Sequence, residues 1–253
     1  MPEQFRLIEV PLDAREANED LGTKEKFWFR HQDLGRCLFK KARPNTAEDW
    51  AEKIAAELCE LLGLPHADYE LAVYNGDNGI VSPSFLPPQP GAILSLGNEV
   101  LARIVSNYPQ DSKDLFQHTI DNVFNVIGDA SLNLPINWTP PKGISHATEK
   151  NRLTTKDAGF SVQAYVERCD SALYARVGDQ KPLKLKAFNA FCEAQQRYPD
   201  AARVWLNNLA RVSSNDTLEL FKRIPSNRIS QTAIEFAQKI LELNQSKLLD
   251  TLL

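Results

Sequence analysis

Residues 37–64 read Cys-Leu-Phe-Lys-Lys-Ala-Arg-Pro-Asn-Thr-Ala-Glu-Asp-Trp-Ala-Glu-Lys-Ile-Ala-Ala-Glu-Leu-Cys-Glu-Leu-Leu-Gly-Leu. The apolar run Cys37 to Phe39 ends at the basic pair Lys40-Lys41 and reads as the end of a strand. After a loop over 42–45, a helix is expected to begin near Thr46. The spacing of Thr46 to Asp49 fits a capping box, and Glu48 and Asp49 fall in the first turn, where the macrodipole favours acidic groups. Gly63 ends the helix.

At 100° per residue, Trp50, Ala51, Ile54, Ala55, Leu58, Leu61 and Leu62 form one apolar arc, with Lys53, Glu57 and Glu60 on the opposite, solvent arc. Glu52 belongs to neither, falling among Ala55, Ala56 and Cys59 at the edge of the buried side. A carboxylate there either reaches water as a rim residue or needs a partner, because an unpaired buried charge costs free energy. The nearest candidate partner in sequence is Lys40.

Around this segment, residues 1–86 read as a small mixed lobe. The stretch 5–10 alternates like a strand. Strands over 26–30 and 36–40 flank a turn over 31–35, where Gly35 suits a hairpin. Beyond the helix come a strand over 69–74, a turn over 75–79 longer than two residues, and a last strand reaching Leu86. Its end, Ser84-Phe85-Leu86, reads equally as an edge strand halted by Pro87-Pro88 or as a ligand-facing hinge.

A strand-end lysine followed by a helix with an inward glutamate is how protein kinases hold ATP phosphates. The surrounding words extend the likeness: Leu21-Gly-Thr-Lys-Glu-Lys-Phe-Trp-Phe29, the helix over 48–58, Leu61-Leu-Gly-Leu-Pro-His66, Gly79-Ile-Val-Ser82, Ser84-Phe-Leu-Pro87 and Gly97-Asn-Glu99. Together with Leu153-Thr-Thr-Lys-Asp157, Tyr165-Val-Glu-Arg168 and Ser171-Ala-Leu-Tyr174, they resemble the HipA-like serine/threonine kinases, in particular the short stand-alone bacterial members. The resemblance implies an α+β, protein-kinase-like two-lobed fold, with a mixed N-lobe over 1–86 and a truncated, all-helical C-lobe over 87–253. It also implies ATP as cofactor, held by Lys40, Glu52 and the hinge Ser84, Phe85 and Leu86. Leu21-Gly-Thr-Lys24 then lies where a phosphate-covering loop belongs, although a plain inter-strand loop reads as well.

Composition bounds the remaining classes. The chain has 253 residues, 43% hydrophobic and 25% charged, with a net charge of −4. That balance argues against a general nucleic-acid surface. No apolar run approaches a membrane span, and no basic-then-apolar leader pattern opens the sequence, so a cytoplasmic protein without membrane contact is expected. Cys37, Cys59, Cys169 and Cys192 show no CxxC spacing and read as free thiols.

The C-terminal half reads as helices. An amphipathic stretch over 114–127 places Phe116, Ile120, Val123 and Ile127 on one face. Prolines at 135, 140 and 141 mark a loop over 133–142. Helices are expected over 183–197, 200–212, 218–223 and 232–249, the last with Thr232 and Glu235 as a capping box and a stripe of Ile234, Ala237, Ile240 and Leu241.

Phosphoryl transfer needs a carboxylate to orient the accepting hydroxyl, an asparagine on the same loop and an aspartate to hold magnesium. HipA-like kinases supply these from a segment like Gly-Asn-x-Asp-Arg-His-x-x-Asn and a later Asp-His motif. This sequence has neither. Where the resemblance would place them, between Gly143 and Arg152, stands Ile144-Ser-His-Ala-Thr-Glu-Lys-Asn151, with Ser145 at the position of the metal-binding aspartate. Asp129 with Asn133, and Asp121 with Asn122, lack the flanking histidine or arginine. His118 and His146 lack metal-ligand spacing, and His31 and His66 fall in turns. The sequence thus resembles a family member with several dozen internal residues deleted. It assigns no catalytic and no metal-binding residue, and leaves magnesium without a holder. Two functions follow: a non-catalytic relative (a pseudokinase) that binds nucleotide and acts on a protein partner, or an ATP-dependent serine/threonine kinase with unrecognised catalytic groups.

Overall fold

Alternating burial along two adjacent strands builds the N-terminal sheet. In β3 (Lys26–His31) Phe27 and Phe29 are fully buried, and in β4 (Gly35–Lys41) Cys37 and Phe39 are. These four pack with Ile8, Val10, Ala72 and Val81 on one face of the sheet. The period of two sends Lys40 to the opposite face. The computed structural model describes residues 2–19, 24–86, 97–109, 116–127, 146–175 and 183–252.

Three further short strands and one longer one complete the sheet: β1 (Leu7–Glu9), β2 (Ala17–Asn18), β5 (Glu70–Tyr74) and β6 (Asp77–Pro83). The order is β1-β5-β6-β4-β3-β2, antiparallel except for β1 beside β5. The connection between β5 and β6 is shorter than the sequence suggested. Tyr74 pairs with Asp77, leaving Asn75-Gly76 as a two-residue hairpin turn with φ of 51° and 80°. Both angles suit a type I′ turn, whose twist matches the strands, so the ladder closes early.

Helix α1 (Glu48–Leu62) lies between β4 and β5 in the chain and ends at Gly63, whose φ of 68° is the left-handed C-cap expected of it. The expected capping box fails. Ala47 occupies the cap position without a side-chain bond, and the Thr46 hydroxyl donates instead to the Arg43 carbonyl. The expected solvent arc holds at Glu60, which is exposed, and fails at Lys53. Lys53 is buried, with Nζ 2.8 Å from Glu57 and 3.3 Å from Glu70 and its ammonium over the Phe5 ring, whereas Leu61 is exposed. Trp50, Ala51, Ile54, Leu58 and Leu62 are buried as expected.

The described residues fall into two units. The first combines Met1–Phe85 with Trp138–Ala164 and Arg211–Gln245; the second takes Leu86–Asn137, Tyr165–Ala210 and Ser246–Leu253. The lobe expected over 1–86 therefore shares its unit with later parts of the chain. Helices α2 (Gly97–Ile104), α3 (Ile120–Ile127), α4 (His146–Thr154) and α5 (Val162–Arg168) precede a short antiparallel pair, β7 (Asp170–Tyr174) with β8 (Lys184–Lys186). Then come α6 (Ala187–Arg197), α7 (Pro199–Arg211), α8 (Ser214–Lys222) and α9 (Gln231–Leu249). The β7–β8 pair interrupts a region expected to be all helical, and α6 starts at Ala187 rather than 183 because Lys184–Lys186 pairs with β7.

In the first unit, α8 starts with a full capping box: Ser213 accepts from the Asp216 amide while the Asp216 carboxylate accepts from the Ser213 amide. At α9 the cap is Ser230, which accepts from the Ala233 amide, rather than the expected Thr232. In the second unit, Phe191, Ala194, Ala202, Leu206 and Leu209 are fully buried. There α3 is shorter than expected. Phe116 lies before it, exposed, with its ring edge-on to Tyr174 at 5.3 Å. All four cysteines are free, and burial pushes the Cys37 thiol up. No helix among the described residues is long and apolar enough to cross a membrane.

Candidate functional site

Lys40 and Glu52 meet. The Lys40 Nζ donates to Glu52 Oε1 at 2.8 Å, with the side chains 26% and 13% exposed. Strand alternation separates Lys40 from its neighbour: Lys41 turns to the other face, where Nζ lies 2.6 Å from Asp77 Oδ2, and this hydrogen bond raises its pKa. Lys40 is thus the lysine that α1 can reach. Tyr69, half-buried near the pair, has its phenol pKa raised by burial and then by the Glu52 charge.

The strand beside Lys40 is fitted closely against it. A Cβ on Gly79 would lie 2.6 Å from the Lys40 carbonyl oxygen and 2.7 Å from the Phe39 ring. Only glycine lets β6 pair with β4 here.

The first turn of α1 carries two more acidic groups, Glu48 and Asp49, which the sequence places at the positive end of the macrodipole, Asp49 also in a capping box. Both are buried. Glu48 accepts from the Arg43 amide and from Arg43 Nη1, each at 3.0 Å, and lies 2.9 Å from Lys24 Nζ. Burial alone would raise its pKa; the Arg43 amide and the Lys24 ammonium outweigh that and hold it below the usual carboxylate range. Lys24 closes the stretch that the sequence suggested as a phosphate-covering loop, of which Leu21, Gly22 and Thr23 lie outside the described residues. Asp49 pairs with Arg228, from the link between α8 and α9, at 2.9 Å. Arg228 follows Pro225 in a break between helices, so no periodicity marked it.

The other expected hinge residues follow β6. The Ser84 amide donates to the Arg36 carbonyl at 2.8 Å and is committed to the sheet. Phe85 is 68% exposed and Leu86 half-buried. Asp129, Asn133 and Ser145 lie outside the described residues, as do 131–144 around them. Asp121 is exposed and ion-paired with Arg197, as a surface residue should be, and His118 Nε2 lies 2.8 Å from the Tyr108 hydroxyl. Among the described residues, no group of three or more His, Cys, Asp and Glu is arranged to hold a metal ion.

A strand-end lysine paired to a helical glutamate beside a mixed sheet is the arrangement kinases use to place a phosphate-binding lysine. No family model matches the chain, and no curated protein matches it in sequence. Solved structures do. The proinflammatory kinase CtkA of Helicobacter pylori shares the fold, with a TM-score of 0.64 over 96% of each chain at 14% identity. A second match is to the HipA, HipB and operator DNA complex of Shewanella oneidensis MR-1, with a TM-score of 0.47, 11% identity, and coverage of 93% of this chain and 65% of that one. The match to CtkA shows the mixed α+β, kinase-like fold expected from the sequence.

Proposed function

We propose that this chain is a HipA-like kinase relative that binds ATP through Lys40 and acts by binding a protein, without transferring phosphate. The 2.8 Å pair between Lys40 and Glu52 carries the reading. Its chemistry fits the cofactor: an ammonium kept in place by a carboxylate, and still a quarter exposed, can turn its remaining protons to phosphate oxygens. ATP would supply the polyphosphate charge that this ammonium meets. With the Ser84 amide already used, adenine contacts from the hinge fall to Phe85 and Leu86 or to the Ser84 carbonyl.

The non-catalytic part rests on the sequence. No Asp-Arg-His-x-x-Asn segment and no Asp-His motif occurs anywhere in it, so no residue is assigned to orient an accepting hydroxyl or to hold magnesium. The second reading, an active serine/threonine kinase, is favoured by the span of the match to CtkA, which covers 96% of each chain rather than the N-terminal part alone. A phosphotransfer assay with magnesium or manganese decides between them. Incorporation of labelled phosphate that disappears in Lys40→Ala establishes the kinase. Nucleotide binding without incorporation establishes the pseudokinase.

A further inference from the structure

Arg228 reaches α1 from 179 residues away in sequence. Its side chain is 2% exposed, and that of its partner Asp49 is 4% exposed. Nε donates to Asp49 Oδ2 at 3.0 Å, while Nη2 donates to the carbonyl oxygens of Ala72 at 3.0 Å and Gly79 at 3.1 Å. One guanidinium therefore joins the first turn of α1 to β5 and β6.

Both ends of that link lead to the candidate site. Asp49 stands one helical turn before Glu52, so fixing Asp49 fixes the rotation and height of the Glu52 side chain. Gly79 is the residue seated against the Lys40 carbonyl, in the strand paired with β4. The Trp50 ring, next to Asp49, meets Phe221 of α8 edge-on at 6.1 Å, so the segment carrying Arg228 touches α1 at a second point.

Stability alone is a weak reason for such a group. A buried ion pair loses much of its attraction to desolvation, and apolar residues of similar volume often serve the fold as well. Nη1 of Arg228 also has no hydrogen-bond partner among the described residues. What a rigid, planar fork gives that an apolar residue cannot is direction: several acceptors held at fixed angles.

We propose that Arg228 is a positioning residue, which holds α1 in the rotation that places Glu52 against Lys40. Its consequence for nucleotide rests on the ATP reading above; its effect on α1 does not.

The test compares wild type with Arg228→Met and with Asp49→Leu plus Arg228→Met. The double variant strands no buried charge and keeps the comparison available if the single one fails to fold. Amide hydrogen exchange within 48–62 should quicken about 10-fold in either variant while 26–41 stays protected. The dissociation constant for ATP should rise about 10-fold when Glu52 is present, and by less than about 2-fold in a Glu52→Gln background, as expected for residues that act as a unit. Unchanged α1 exchange in a folded variant overturns the proposal, and so does an equal loss of ATP affinity in both backgrounds. Wild-type protein that binds no ATP refutes the nucleotide reading, and α1 exchange then decides the positioning role by itself.

Discussion

Lys40 and Glu52 stand 12 residues apart in sequence and 2.8 Å apart in space, one at the end of β4 and the other on the second turn of α1. Glu52 is the more buried of the two. Removing the ammonium leaves a desolvated carboxylate behind, whereas removing both charges does not. Lys40→Met should therefore lower unfolding stability by about 1–3 kcal/mol, and Lys40→Met with Glu52→Leu should recover most of the loss. Urea unfolding of the three proteins checks this; a double variant no more stable than the single one would contradict it.

Gly79 answers to contact rather than conformation. Alanine there puts a methyl 2.6 Å from the Lys40 carbonyl and 2.7 Å from two Phe39 ring atoms, in the middle of the sheet. Gly79→Ala should destabilise by about 1–3 kcal/mol through overpacking. Gly97→Ala, where nothing lies within 4 Å of the new methyl, should change stability by less than about 0.5 kcal/mol. Equal effects at the two positions would refute the close approach of β6 to β4.

Glu48 sets a pH dependence with a definite sign. Its pKa is lower in the folded chain than in the unfolded one, so its stabilising contribution is complete above the ordinary glutamate range. That contribution is lost as pH falls through the folded value. Asp216, whose pKa is lowered by the Ser213 amide and then by the Ser213 hydroxyl, acts in the same sense from the exposed α8 cap. Unfolding free energy should decline as pH drops from neutral through the carboxylate range, and Glu48→Gln should show a shallower decline. A Gln variant with the wild-type slope would place the titration elsewhere.

Much of this site is legible in the sequence because it is local. The hairpin strands show through Phe27, Phe29, Cys37 and Phe39, and a helical wheel of fifteen residues sets Glu52 at the edge of the buried side, where it either reaches water or needs a partner. What the wheel cannot show is a second covering layer. Lys53 reads as solvent-facing on α1 alone, yet its ammonium lies over the Phe5 ring and within reach of Glu57 and Glu70, groups supplied by the N-terminal segment, its own helix and β5. Asp49 looks like a dipole-stabilising first-turn residue until Arg228 arrives from the far end of the chain. The Thr46 cap failed for a local reason: its hydroxyl bonds the Arg43 carbonyl, and Glu48 takes the Arg43 amide. Lys184–Lys186 reads as part of the following helix because three residues carry no period of their own, and only pairing with β7 makes them a strand.

The thermal shift of the purified chain with ATP reports whether Lys40 serves a nucleotide as proposed. A ligand that binds only the folded state raises the unfolding temperature in proportion to its occupancy. A saturable rise with ATP is expected, with or without magnesium, and it should be absent in a cooperatively folded Lys40→Ala variant. An equal rise in that variant, or no rise from a cooperatively folded wild type, would contradict the proposal.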